Sequence, residues 1–79
     1  MAGFEQEIRT AQRPLLNYIA VLCGSPQGAE DILGEVNLAL VRQQADYDGK
    51  RPFLPWARTV AYFAVRTWRQ KCRREHLVF

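Results

Sequence analysis

The chain has 79 residues, of which 48% are hydrophobic, two are cysteine and one is histidine. This length allows one domain with a single small core, and two cysteines are too few for a disulfide-framework domain. No apolar run approaches transmembrane length, and the N-terminus lacks the cationic and then apolar pattern of a signal peptide. We therefore expect a cytoplasmic protein, with free buried thiols at Cys23 and Cys72 and no bound metal.

The charge is divided unevenly along the chain. Residues 1–41 contain two arginines and five acidic residues, whereas residues 42–79 contain nine basic and three acidic residues. Since each half has its own sign of charge, the sequence indicates two different binding partners.

The apolar spacing predicts a first helix over residues of about 4–23. Pro14 lies inside this helix and predicts a kink or a split, because proline has no N–H and its ring clashes with the preceding turn. Gly24 is a plausible end of the helix. Ser25 followed by Pro26 is typical of the cap and the first position of the next helix.

A second helix is predicted from Pro26 to about Gln44, with the core residues Ala29, Ile32, Leu33, Val36 and Leu40. Residues 44–52 have turn chemistry and no apolar period, which predicts a loop. Pro55 then opens a third helix that reaches about Arg74. Because no segment alternates as a strand does, the predicted fold class is all-α, a compact bundle of three principal helices.

The third helix has two contrasting faces. The first consists of small and apolar residues and is predicted to join the core: Ala57, Val60, Ala61, Ala64, Trp68 and Cys72. The opposite face contains Arg58, Tyr62, Arg66, Arg69 and Arg73, and Glu75 is the only acid in the predicted helix. A solvated basic face is one interpretation of this row.

Aromatic residues support a second interpretation of the basic row. They cluster in the loop and at the start of the third helix: Tyr47, Phe53, Trp56, Tyr62 and Phe63. Arginines hold phosphates, and rings offer stacking surfaces to unpaired bases. The combination predicts binding to partly single-stranded nucleic acid.

The second helix has an outward stripe that contains Asp31, Glu35 and Leu38, with Gly34, Asn37 and Val41 beside it. One interpretation is that a bent first helix covers the apolar members of this stripe. The other is an acidic and apolar patch for a basic partner protein, in which charge guides the encounter and the apolar centre provides affinity.

The sequence gives no indication of catalysis. Ser25 has no candidate base, His76 lies close to the C-terminus, and no glycine-rich phosphate loop is present. We therefore expect neither an enzyme nor a cofactor.

Several motifs resemble the second conserved region of the extracytoplasmic-function sigma factors of bacterial RNA polymerase. They are AEDILGEV at 29–36, Tyr47-Asp48, KRPF at 50–53, Trp56 and the basic run RQKCRR at 69–74. The resemblance covers nearly the whole chain, from about Phe4 to Phe79, and the spacing of the motifs is more specific than any one of them. The ending at 74–79, RxxLVF, is similar to variants common in planctomycete bacteria.

This resemblance implies a transcription initiation domain over residues 1–79. Its second helix would dock on the clamp helices of the polymerase β′ subunit through Asp31, Glu35 and Leu38. Its loop and third helix would recognise the minus-ten promoter element and help to open it. The DNA-binding residues would then be Lys50, Arg51, Phe53, Trp56, Arg58, Tyr62, Arg66, Arg69 and Arg73.

A complete sigma factor of this type also has a helix-turn-helix domain, region 4, for the minus-thirty-five element. That domain is absent from this sequence, so we expect a piece of a longer protein with weak, salt-dependent DNA binding of its own.

The sequence departs from the family pattern at five positions, one of which is Gln44 in place of a further aromatic residue. Gly34 and Asn37 replace a usual glutamine and a usual aromatic residue, and Phe63 and Thr67 replace a common asparagine and aspartate.

Two other functions are compatible with the sequence. One is a general basic domain that binds nucleic acid without polymerase contact. The other is a protein-interaction bundle whose basic face meets an acidic regulator, and an anti-sigma factor could use the same faces. We expect no membrane contact, because that would require the third helix to expose its core stripe.

Overall fold

The computed structural model describes the backbone of residues 3–77 and the side chains of residues 3–73. Its three α-helices are α1 (Phe4–Cys23), α2 (Pro26–Arg42) and α3 (Phe53–Leu77), and a short 3₁₀ helix (Gln44–Asp46) follows α2. Each α-helix packs against the other two. No strand occurs among residues 3–77, and the predicted all-α bundle of three principal helices is confirmed.

The first helix runs through Pro14 as one element, so of the two predicted alternatives the split is wrong and a kink is not needed. Proline leaves the carbonyl of Thr10 without its usual N–H partner. On either side of this position, however, Ala11, Leu15 and Ile19 are buried in the core. Tertiary packing of one helix face therefore outweighs the local preference for a break.

The turn between α1 and α2 has the predicted chemistry. Gly24 adopts a left-handed φ of 72° and donates its N–H to the carbonyl of Ala20 at 2.9 Å. Ser25 caps α2, because its Oγ accepts a hydrogen bond from the N–H of Gly28 at 3.1 Å, and Pro26 occupies the first helical position. Both predicted boundaries are confirmed.

The core lies where the three helices meet. Its five largest fully buried side chains are Leu15, Ile19, Ile32, Val36 and Leu40. Burial of a side chain of this size contributes about 1.5–3 kcal/mol to folding. On α3 the contact residues Ala57 and Ala61 expose no surface, so this helix approaches its neighbours closely.

The structure corrects several details of the prediction. Helix α2 ends at Arg42, two residues early, and α3 begins at Phe53 instead of Pro55. Val65 is a core residue that the predicted stripe omitted. Cys72 is exposed rather than buried, because it lies one turn beyond Trp68, which still packs against the core.

Candidate functional site: two exposed helix faces

The predicted basic row on α3 lies entirely at the surface. Arg58, Tyr62, Arg66, Arg69 and Arg73 are all exposed, on the side of α3 opposite its buried residues. Residues 53–73 of α3 include no acidic residue, and no arginine of this row forms an ion pair with another side chain of residues 3–73. The row is therefore a continuous positive surface that is available to a polyanion.

Most of the rings predicted to bind bases instead form a packed cluster under the loop. The ring centroids of Phe4, Tyr47, Phe53 and Trp56 all lie 4.9–6.0 Å from one another. Phe53 is only 7% exposed, whereas Tyr47 and Trp56 are half-buried. This cluster fixes the loop to the start of α3, and Phe53 has almost no surface for a direct base contact.

Two other rings remain open to solvent. Tyr62 is 44% exposed and Phe63 is 55% exposed, and their rings meet edge to face with centroids 5.5 Å apart. Phe63 belongs to the five rings that the sequence predicts to stack on bases, but it was not among the DNA-binding residues implied by the family resemblance. Its position four residues from Thr59 and from Thr67 places it on a polar side of α3, and this spacing was the signal that could have identified it.

The loop before α3 is held by its own hydrogen bonds. The Tyr47 hydroxyl donates to the carbonyl of Arg51 at 2.6 Å, and the Asp48 carboxylate accepts from the backbone N–H groups of Lys50 and Arg51 at 2.8 and 3.1 Å. These two backbone hydrogen bonds hold the pKa of Asp48 below its usual value. Gly49 allows the sharp turn with a φ of 76°.

The two predicted loop cations, Lys50 and Arg51, differ in the contacts that their side chains make within the loop. The Arg51 guanidinium donates to the carbonyl of Asp46 at 2.9 Å and lies 3.7 Å from the Asp48 carboxylate. The Lys50 side chain is exposed and forms no ion pair with the described side chains. Lys50 is therefore the loop cation with the greater freedom to bind a phosphate.

The outward face of α2 is open, which excludes the interpretation that the first helix covers its apolar residues. Leu38 and Val41 are each 58% exposed, and Asp31 and Glu35 are exposed on the same side. Helix α1 therefore does not cover this patch. Gly34 lies within it, and a Cβ at Gly34 would meet no heavy atom within 4 Å.

Asn37 does not belong to this open face. Its side-chain amide donates to Gln12 Oε1 and accepts from Gln12 Nε2, each at 2.9 Å, so it joins α2 to α1. The departure from the family pattern at this position is thus accommodated inside the bundle, whereas the one at Gly34 is on the surface.

Among the described residues, no group of three or more His, Cys, Asp or Glu side chains could hold a metal ion. Within the same part of the chain, no helix is long and apolar enough to span a membrane. The terminal motif at 74–79 lies outside the described side chains.

Comparison with known proteins identifies one family. The family model described as Sigma-70 region 2 matches residues 8–75, which include both exposed faces and the loop between them. Searches of the curated proteins and of the solved structures gave no significant match.

Proposed function

The chain belongs to the sigma-70 region 2 family, and on this premise we propose that it links RNA polymerase core to the minus-ten promoter element through two separate surfaces. Domains of this family act in transcription initiation as non-enzymatic factors, and in general they bind polymerase core and promoter DNA. The finer assignment to the extracytoplasmic-function group is part of our proposal.

The first surface is the acidic and apolar patch of α2, defined by Asp31, Glu35, Leu38 and Val41. We assign it to the clamp helices of the polymerase β′ subunit. The two carboxylates would guide the encounter with a basic partner, and the apolar side chains would provide most of the affinity once water is excluded. Exposure of Leu38 and Val41 beside two acids supports this assignment.

The second surface combines the α3 row with Lys50 of the loop. Arginines at 58, 66, 69 and 73 would bind phosphates, while the exposed rings of Tyr62 and Phe63 would stack on bases that have lost their partners. Stacking on an aromatic ring contributes about 1–3 kcal/mol for each base. Trp56 and Arg51 would act mainly by holding the loop in shape, because they are engaged in the ring cluster and in the loop hydrogen bonds.

The observation that carries the proposal is the separation of charge between two open helix faces. The acidic α2 patch and the basic α3 row lie on different helices, and neither is neutralised by an ion pair among the described side chains. A domain with only one partner would need only one of these surfaces.

Binding to core RNA polymerase tests the assignment of the α2 patch. We expect the double substitution Asp31→Ala and Glu35→Ala to weaken binding by about tenfold, equivalent to about 1.4 kcal/mol. The matched control is Glu5→Ala with Glu7→Ala, which removes the same charge from an exposed part of α1. Fluorescence anisotropy of the labelled domain gives the affinities, and circular dichroism verifies that each variant folds.

An equal affinity of both double variants for the polymerase would contradict the proposal. That result would favour a general basic nucleic-acid-binding domain. In such a domain, Asp31→Ala with Glu35→Ala would leave the affinity for DNA unchanged. An anti-sigma factor is a further candidate partner for the same two faces.

A further inference from the structure

A second basic surface lies between α1 and α3 and shares only Arg58 with the predicted sites. It is an open groove of about 530 Å³, lined by Arg13, Pro14, Asn17, Tyr18, Val21 and Arg58. Only Arg58 of these residues belongs to the α3 row. We refer to this surface as the α1–α3 groove.

The groove is positively charged. Arg13 on α1 and Arg58 on α3 are both exposed, and no acidic residue lines the groove. Neither arginine forms an ion pair with a side chain of residues 3–73. Two cations that share a cleft without an acid favour an anionic occupant.

The position of Arg58 is set by α1. Its guanidinium carbon lies 5.8 Å from the ring centroid of Tyr18, which is within the range of a cation–π contact. Tyr18 and Arg58 both line the groove, and the Arg58 guanidinium forms no ion pair with the described side chains. Arg58 thus connects the end of the α3 row to the groove on α1.

The remaining lining fits a sugar–phosphate chain better than a bare anion. The amide of Asn17 can donate or accept a hydrogen bond. Val21 is 82% exposed, and Pro14 adds a second apolar surface against which a deoxyribose could pack. A surface that alternates charged, polar and apolar groups resembles the alternation of phosphate and sugar along a strand.

We propose that the α1–α3 groove binds the sugar–phosphate backbone of promoter DNA, so that α1 extends the nucleic-acid interface of α3. The proposal rests on the proposed function, since Arg58 is shared by the groove and the α3 row. Charge complementarity and this continuity together identify DNA as the occupant, and Arg13 is the residue that distinguishes the groove from the row.

The salt dependence of DNA binding tests the groove. Each phosphate contact contributes a slope of about −0.9 in log K against log salt for duplex DNA and about −0.7 for a single strand. We expect Arg13→Gln to make the slope less steep by about this amount. Arg13→Lys keeps the positive charge, so its slope should equal that of the parent protein. The control Arg42→Gln removes one charge at the end of α2, away from the groove, and should leave the slope unchanged.

The measurement uses short fluorescent oligonucleotides of one sequence, as a single strand and as a duplex, between about 50 and 200 mM salt. An effect of Arg13→Gln on either form supports the groove, and the form with the larger change identifies the bound backbone. An Arg13→Gln slope equal to that of Arg42→Gln overturns the groove. Thermal unfolding followed by circular dichroism verifies that the variants fold.

Arg66→Gln separates failure of the groove from failure of the proposed function. If Arg66→Gln makes the slope less steep while Arg13→Gln does not, DNA binding by the α3 row is supported and only DNA binding by the groove is rejected. If neither substitution changes the slope, or the parent binds neither oligonucleotide, the DNA surface on α3 is rejected as well. Loss of binding to an acidic peptide, with DNA binding intact, would assign the groove to a protein partner and overturn the proposal.

Discussion

At the scale of single residues, Gly28 allows the close contact between the start of α2 and α3. A Cβ at this position would lie 2.8 Å from Cζ2 and 3.1 Å from Cη2 of Trp68. We expect Gly28→Ala to lower the free energy of unfolding by about 1–3 kcal/mol, because the indole must move from its place against the core. Urea denaturation followed by circular dichroism measures this change.

Two companion variants isolate the cause. Trp68→Phe removes both close atoms, so Gly28→Ala in that background should be neutral or slightly stabilising. Gly34→Ala is the matched helical control, because a Cβ there meets nothing within 4 Å; it should raise the free energy of unfolding by about 0.5–1 kcal/mol. The same loss for Gly28→Ala in both backgrounds would reject the steric explanation.

At the scale of elements, one pair of amides joins α1 to α2. Gln12 and Asn37 exchange two hydrogen bonds, each of 2.9 Å, in a half-buried position. We expect Gln12→Ala or Asn37→Ala alone to destabilise the protein by about 1–2 kcal/mol. The first leaves the Asn37 amide without either bond, and the second leaves Gln12 only its bond to the carbonyl of Ile8. Replacement of both residues by leucine should be close to neutral, and urea denaturation of the three variants gives the comparison.

The control for the amide pair is the exposed hydrogen bond of Thr10 to the carbonyl of Gln6, at 3.0 Å within α1. Thr10→Ala should change the free energy of unfolding by no more than about 0.5 kcal/mol, because water can replace that bond. Single substitutions of Gln12 and Asn37 that are as mild as Thr10→Ala would contradict the inter-helix role.

The helices themselves were predictable from sequence because burial of one face imposes a local period on the apolar residues. The turn at Gly24 and Ser25 was also predictable, because the hydrogen bonds that form it join residues only three or four positions apart. What the sequence did not predict depends on distant partners. The amides of Gln12 and Asn37 are 25 residues apart, and the partners of the Phe4 ring lie in the loop and in α3.

At the scale of the whole molecule, the two charged faces were predictable because helical phase alone separates them from the core. The sequence did not predict which aromatic rings are accessible to a base. Phe53 and Tyr62 belong to the same helix, yet Phe53 is buried and Tyr62 is exposed. The α1–α3 groove could not be predicted either. It requires Arg13 and Arg58, on different helices, to line one cleft, which only the packing of α1 on α3 establishes.

The concentration of positive charge on α3 should weaken folding while it strengthens DNA binding. Arg69 lies three residues after Arg66 and four before Arg73, so it faces a like charge on either side. Like charges at these spacings destabilise a helix by about 0.2–0.5 kcal/mol for each pair. We expect Arg69→Gln to raise the free energy of unfolding by about 0.5 kcal/mol in low salt and to reduce the salt slope of DNA binding by about one phosphate contact.

Arg9→Gln is the control with the opposite effect on stability. Arg9 donates to Glu5 at 3.0 Å on the surface of α1, so its loss should lower the free energy of unfolding by about 0.3–0.5 kcal/mol. Because Arg9 lies outside the α3 row and outside the α1–α3 groove, its substitution should leave the salt slope of DNA binding unchanged. Urea denaturation and fluorescence anisotropy on the same two variants measure both quantities. If Arg69→Gln were destabilising, Arg69 would stabilise the fold itself, and the row would not be a surface maintained at the expense of stability.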